Sequence, residues 1–299
     1  MSETPAARRA AVMVDAVVQA GPVAESRRME ARPSSGKPFS VKHMPGFILI
    51  STFVFVLLYA PVILLVVFSF NEGESLAVWE GTSLKWYMAA AANDDIQEAS
   101  IRSLIVAIIA ALLSTSAATM AAIATTRVMP FRGMASAYGL INMPLMVPEI
   151  VTAVALLITF AWVKEATQYF GLGYILAAHT AFCIPFAYLP IRARLESMDL
   201  TLERAAADLY ATPWQAFKRV TLPLLWPGIM AGLMLAFVVS LDDVVITEFV
   251  KSAGQETLPT YMLGQLRRQV TPEINAIATV FFALSVALVT VFYFLNRRK

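Results

Sequence analysis

Residues 199–223 read DLTLERAAADLYATPWQAFKRVTLP and lie between two long apolar stretches. Thr201 is suited to cap a first short helix running to about Leu209, through the helix-favouring Glu203, Ala205, Ala206 and Ala207. Thr212 followed by Pro213 signals a second start, a cap residue and then proline at the first helical position. Trp214, Phe217 and Val220 follow at helical spacing, giving an apolar face beside Lys218 and Arg219. Pro223 and Pro227 are expected to mark the return to the next apolar stretch. So polar a helix pair does not belong in lipid, and its exposed apolar residues point to a protein that it docks onto.

The rest of the chain is strongly apolar: 58% of its 299 residues are hydrophobic and 15% charged, which places it among membrane proteins. A bilayer span needs about 20 mostly apolar residues. Six stretches approach that length, at about 46–70, 101–125, 135–163, 174–191, 224–246 and 274–295. Residues 1–44 are rich in Ala, Arg, Ser and Pro without an apolar period and read as a solvated tail. No signal peptide is visible, and the first span is expected to be an uncleaved anchor. The permease domain is then 45–299, an all-α membrane protein.

Basic residues set the orientation. Arg8, Arg9, Arg27, Arg28, Arg32, Lys37 and Lys42 fall in the tail, Arg127 and Arg132 after the second span, and Arg192, Arg194, Arg204, Lys218 and Arg219 around the 199–223 loop. The chain ends on Arg297, Arg298 and Lys299. The other side carries Lys85, Arg102, Lys164, Lys251, Arg267 and Arg268. Both termini and the 199–223 loop are therefore expected on the cytoplasmic side.

Signs of covalent chemistry are missing. There is no G-x-x-x-x-G-K-[ST] loop to cradle a nucleotide, no G-x-S-x-G and no Cys/His pairing. His43 and His179 have no second ligand at metal spacing, and His179 reads as a hydrogen-bonded structural histidine. Cys183 is the sole cysteine and reads as a buried apolar thiol.

The 199–223 segment resembles the E-A-A-x3-G-x9-I-x-L-P loop of ABC importer permeases, whose short helices seat in a groove on the ATPase. The alanines fall on Ala205 and Ala206, and the motif's end on Val220, Leu222 and Pro223. Two positions depart: the motif's Glu is Arg204, with Glu203 just before it, and its Gly is Tyr210. A glutamate at 204 would complete a capping box with Thr201, which arginine cannot do. A helix-ending glycine takes the left-handed conformation, so Tyr210 is expected to be strained or to sit in a differently shaped turn. The resemblance implies ATPase-coupling roles for Glu203, Arg204, Ala205, Ala206, Asp208, Tyr210, Trp214, Leu222 and Pro223, with Tyr210 an aromatic anchor.

HTAFCIPFAYLPIRARL from His179, SLDDVVITEFVKSAGQETLPTYM from Ser240 and TPEINAIATV from Thr271 are similar to the second permease subunit of spermidine/putrescine importers, from about residue 45 onward. This implies six spans in a type I (MetI-like) importer fold. It also implies a heterodimer with a second permease, two ATPase copies that bind ATP and Mg, and a periplasmic binding protein. No cofactor and no nucleic acid would be bound by this chain.

Asp242 and Asp243 are adjacent carboxylates near the end of the fifth span, about 27 Å along it at about 1.5 Å per residue. They would face a cation pathway or a neighbouring helix, pair with Arg102 or the partner permease, or cap the helix end. Glu248 lies beyond them, and Glu149, near the middle of the third span, is a further pathway candidate. Trp79, Trp86 and Tyr87 form an interfacial belt, a binding-protein contact or a polyamine cage. Pro144 and Pro148 are expected to interrupt the third span, and Pro185 and Pro190 the fourth. The leading expectation is a polyamine importer permease. The same machine carrying γ-aminobutyrate or an opine is the alternative. An ATPase-independent carrier or channel would call for more intramembrane charges or half-chain repeats, which are not visible.

Overall fold

The computed structural model describes residues 46–75, 78–128, 131–268 and 272–297. The expected tail at 1–44, His43, Thr271, Arg298 and Lys299 lie outside the described residues. The described elements are helices, with one isolated antiparallel bridge between Asn71 and Thr82. Six of these helices are long and apolar enough to cross a bilayer, as the hydrophobic stretches predict.

The chain divides into two compact units, Met1–Ala60 and Pro61–Lys299. Helix α1, Phe47–Phe68, crosses that division. In the first unit its Ile48, Leu49, Phe53 and Leu57 are exposed, and Phe55 stacks on Tyr59. Such a surface suits lipid tails rather than water.

In the second unit, α2 (Lys85–Ala92) precedes the long α3, Asp94–Thr126. The α3 helix starts seven residues before the predicted span, because the Asn93 side chain caps it by accepting from the Asp95 amide, 3.1 Å. Asp94 and Asp95 in its first turn suit the positive end of the helix dipole.

The third hydrophobic stretch is interrupted at Pro148 as predicted, whereas Pro144 stays inside a helix. The stretch forms α4 (Met134–Met146) and α5 (Glu149–Thr167), parted at Val147 and Pro148, where both residues are extended. Residues before proline avoid the helical region, which accounts for the break. Glu149 thus opens a helix rather than sitting mid-span.

The fourth stretch departs from expectation. Helix α6, Gly173–Ser197, runs unbroken through Pro185 and Pro190. Its buried face packs against α3 and α9 (Leu222–Asp242), which keeps it helical through both prolines. Two more short helices, α10 (Val245–Val250) and α11 (Leu258–Arg268), precede the final α12, Pro272–Arg297.

The core lies between α3, α6 and α9 and is built on small residues. Ala107, Ala111, Ser114, Ala118 and Ala122 line the buried face of α3 at helical spacing. On α9, a Cβ at Gly232 would stand 2.7 Å from the Ala187 carbonyl, and one at Gly228 would stand 2.6 Å from Arg194 Cβ. Close backbone approach through small residues is how helices pack where lipid removes the hydrophobic driving force between them. Cys183 is buried in this seam with Sγ 3.5 Å from the Ala236 carbonyl, as the sequence implies.

Candidate functional site

The 199–223 segment folds as two short helices. The first, α7, spans Thr201–Asp208 and the second, α8, Pro213–Ala216. Thr212 caps α8 with its hydroxyl on the Gln215 amide, and Gln215 returns a bond to the Thr212 amide, 3.0 Å. This capping box is stronger than the single cap predicted from Thr212.

Thr201 is not the cap of α7. It is the first helical residue, and Asp199 Oδ1 accepts from its amide at 2.9 Å. That backbone hydrogen bond, with the Thr201 side chain also contributing, holds the Asp199 carboxyl below the usual carboxylate range. The α8 helix does not stop before the next span. It continues through a π turn, Phe217–Thr221, into α9. The wide turn directly precedes Pro223, whose ring would clash with the carbonyl four residues back in a regular helix.

Tyr210 takes the strained option. Its φ is +58°, it donates to the Ala207 carbonyl at 2.9 Å, and Ala211 donates to the Ala206 carbonyl at 3.1 Å. These two bonds form a Schellman motif with tyrosine where glycine is usual. The turn projects its neighbours outward: Leu209 is 82% exposed, Tyr210 96% and Trp214 68%, with Trp214 stacked on Phe217. Arg204, Ala205 and Asp208 are also exposed, whereas Ala206 and Leu222 are half-buried. Pro223 lines a recess of about 480 Å³ with Arg194, Leu222, Leu224, Trp226 and Pro227. Glu203 turns inward, 3.0 Å from Arg127 Nε.

At the far end of α9 the two aspartates part company. Asp242 is the last helical residue and is exposed, with no hydrogen bond or ion pair among the described residues. It stands in a groove of about 500 Å³ whose other walls are apolar apart from Ser285, among them Val238, Leu266 and Phe282. Asp243 leaves the helix with ψ near 132° and is buried. Its carboxylate accepts from the Ile246 and Thr247 amides and from the Thr247 hydroxyl at 3.3, 2.9 and 2.7 Å. The expected continuous span to 246 is thus corrected: the chain breaks at Asp243, which caps the start of α10. The expected cap at the end of the fifth span is instead a cap on the start of the next helix.

His179 lies against this break. Its Nδ1 is 2.8 Å from Ser240 Oγ, and its Nε2 is 2.8 Å from Thr247 Oγ1. The expected structural role is what the geometry shows. Glu149, opening α5, neighbours the Asp243 carboxyl.

Arg102 does not pair with either aspartate. Its guanidinium donates to the Glu256 carbonyl at 2.7 Å and meets Glu98. Glu248 is neutralised within the chain, 2.8 Å from Lys251 and 3.7 Å from Arg267. The three outer aromatics have separate partners: Trp79 meets Phe68 edge-on, Tyr87 packs on Phe70, and Lys85 lies over Trp86.

Sequence reasoning missed three residues that organise these places. Arg127, Ser240 and Thr247 join groups separated by 76, 61 and 68 positions, and no local pattern announces such pairings.

Six membrane-length helices with a capped helix pair carried between the fourth and fifth define a multi-span transport permease. The chain belongs to the family described as the inner membrane component of binding-protein-dependent transport systems, whose model matches residues 114–298. It is therefore a multi-pass inner-membrane permease subunit of an ABC importer rather than an enzyme. ATP is bound by a partner ATPase, and a binding protein delivers the solute.

Among curated relatives, the chain is 38% identical to the putrescine transport system permease protein PotI of Escherichia coli K12, over 80% of this chain and 86% of that one. It is 37% identical to the spermidine/putrescine transport system permease protein PotC of Haemophilus influenzae, over 86% of this chain and 99% of that one. The fold is similar to a bacterial ABC transporter importing alginate, with TM-score 0.67 and 18% identity over 84% of this chain and 94% of that one. It is also similar to the MetNI methionine transporter, with TM-score 0.56 and 16% identity over 69% of this chain and 96% of that one.

Proposed function

We propose that the solute is a polyamine, putrescine or spermidine, and that Asp242 is the group in this chain that meets it. The relatives named above are described as putrescine and spermidine/putrescine permeases. The observation that carries the reading is a lone carboxylate in a groove that is otherwise apolar but for Ser285. A polyamine is a methylene chain with ammonium ends, so it needs apolar walls and a widely spaced anion rather than a dense acidic cluster. Glu149, next to the Asp243 carboxyl, and Glu248, paired with Lys251 and Arg267, are secondary pathway groups. Asp243 contributes through the shape of the break.

The chain forms half of the pathway with a second, homologous permease, on an ATPase dimer. Both termini and the α7–α8 pair lie on the cytoplasmic side. The clustering of Arg127, Arg194 and Arg204 near α7, away from Arg102, Lys164 and Lys251, supports that orientation. Leu209, Tyr210 and Trp214 form the knob that enters the ATPase, and Ala205 allows close approach. ATP binding closes the ATPases and draws the helix pairs together, which opens the pathway outward.

The test is ATPase activity of the reconstituted importer with its binding protein and putrescine, spermidine, γ-aminobutyrate or no solute. Stimulation by polyamine alone supports the reading. Stimulation by γ-aminobutyrate replaces the cargo and keeps the machine. Transport without any ATPase would return the chain to the carrier class.

A further inference from the structure

We infer that Arg127 is a positioning residue for the coupling helices, clamping α7 to the ends of α3 and α6 so that the three move together. The inference rests on the importer reading above. Helix α7 has eight residues and buries none of them. So short a helix is not stable alone in water, and with no buried face it has little grip on the bundle. A push from a partner would slide or melt it rather than reach the membrane.

Arg127 supplies the missing grip. It is the C-terminal cap residue of α3, its backbone amide donating to the Ile123 carbonyl at 2.9 Å. From there its Nε donates to Glu203 Oε1 of α7 at 3.0 Å, and a terminal nitrogen donates to the Leu195 carbonyl near the end of α6 at 2.9 Å. The same Glu203 oxygen accepts from the Thr221 hydroxyl, 3.2 Å away in the π turn that leads into α9. One guanidinium and one carboxylate thus join four segments.

The chemistry suits the task. The Arg127 and Glu203 side chains are only 14% and 25% exposed, so water and salt weaken the pair less than an ordinary surface bridge. A planar guanidinium directs separate donors to two acceptors at once, which an ammonium does less rigidly. Its positive charge also lies at the carbonyl ends of α3 and α6, where a cation is favoured. Arg204, one residue along, is exposed and cannot serve. The displaced acidic position at 203 therefore has a use of its own: it faces the bundle, leaving the outward face of α7 to the ATPase.

The experiment measures solute taken up per ATP hydrolysed in the assembled importer for Arg127→Gln, Glu203→Gln and the double variant. We expect each single change to leave the ATPase bound and to lower the ratio about fivefold or more. The double variant should fall no further, because both changes break one shared link. An unchanged ratio in either single variant, or a double variant whose loss multiplies the two, overturns the clamp. If the glutamine variants fail to assemble, Arg127→Lys keeps the charge and the same measurement decides: a lowered ratio supports the clamp, a wild-type ratio overturns it. Wild-type chain that holds no ATPase would overturn the importer reading itself, a result distinct from any failure of the variants.

Discussion

The Nε2 of His179 stands 3.3 Å from Oδ2 of Asp243, and both side chains are 2% exposed. Both side chains have their own polar atoms satisfied: Ser240 and Thr247 take the two imidazole nitrogens, and α10 offers amides to the carboxylate. A buried polar group is tolerated only when so satisfied. The pair fixes the place where the fifth span stops, and so decides that Asp242 faces outward while its neighbour does not.

Removing the imidazole should therefore act on the fold. His179→Ala is expected to cost about 1–3 kcal/mol by leaving the buried Ser240 hydroxyl without its partner and removing the imidazole beside the Asp243 carboxylate. Thermal unfolding of the detergent-solubilised importer would read this as a lower midpoint. An unchanged midpoint would mean that the node is not structural.

The adjacent aspartates should separate by phenotype. Asp242→Asn is expected to fold normally and raise the polyamine concentration for half-maximal uptake about tenfold, the loss of one charge-assisted bond of about 1.5 kcal/mol. Asp243→Asn is expected to lower stability and assembly instead. The opposite pattern would move the solute contact to Asp243.

Tyr210→Gly separates strain from anchoring. Glycine relieves the left-handed penalty, roughly 1 kcal/mol, and should stabilise the turn. If the ring anchors the ATPase, binding of the ATPase weakens even so. Full assembly and uptake together with a more stable subunit would leave Tyr210 without a docking role.

Gly232→Val tests the seam between α6 and α9. Its Cβ would meet the Ala187 carbonyl at 2.7 Å, and overpacking of this kind costs about 1–3 kcal/mol. Gly139→Ala is the control, since nothing lies within 4 Å of its added carbon. Loss of expressed, assembled subunit for the first but not the second is the expected result.

The coupling segment shows where local reading succeeds. Thr212-Pro213 announced α8 because capping is a contact between residues three apart. Reading Thr201 as a cap failed, because Asp199 took the neighbouring amide first. Tyr210 was legible as a conflict, since its helix had to end and no glycine was there to end it. Pro185 and Pro190 misled because proline specifies only that a bond is missing. Whether the helix then bends depends on what packs around it.

By itself the sequence determined the six spans, the short helix pair at 199–223, the grouping of charges and the family, all of them written in composition, spacing and motif. Hydrophobic length and capping act within a few turns of helix, so neighbouring residues suffice to read them. Only the tertiary structure decided that Glu203 turns to Arg127, that Asp243 is spent on a cap, and that Asp242 is left facing an apolar groove. The Glu203 pairing is set by a partner far away along the chain, and the Asp243 cap, though local, is sealed by His179 from α6; close packing of α3, α6 and α9 brings these groups within hydrogen-bonding distance.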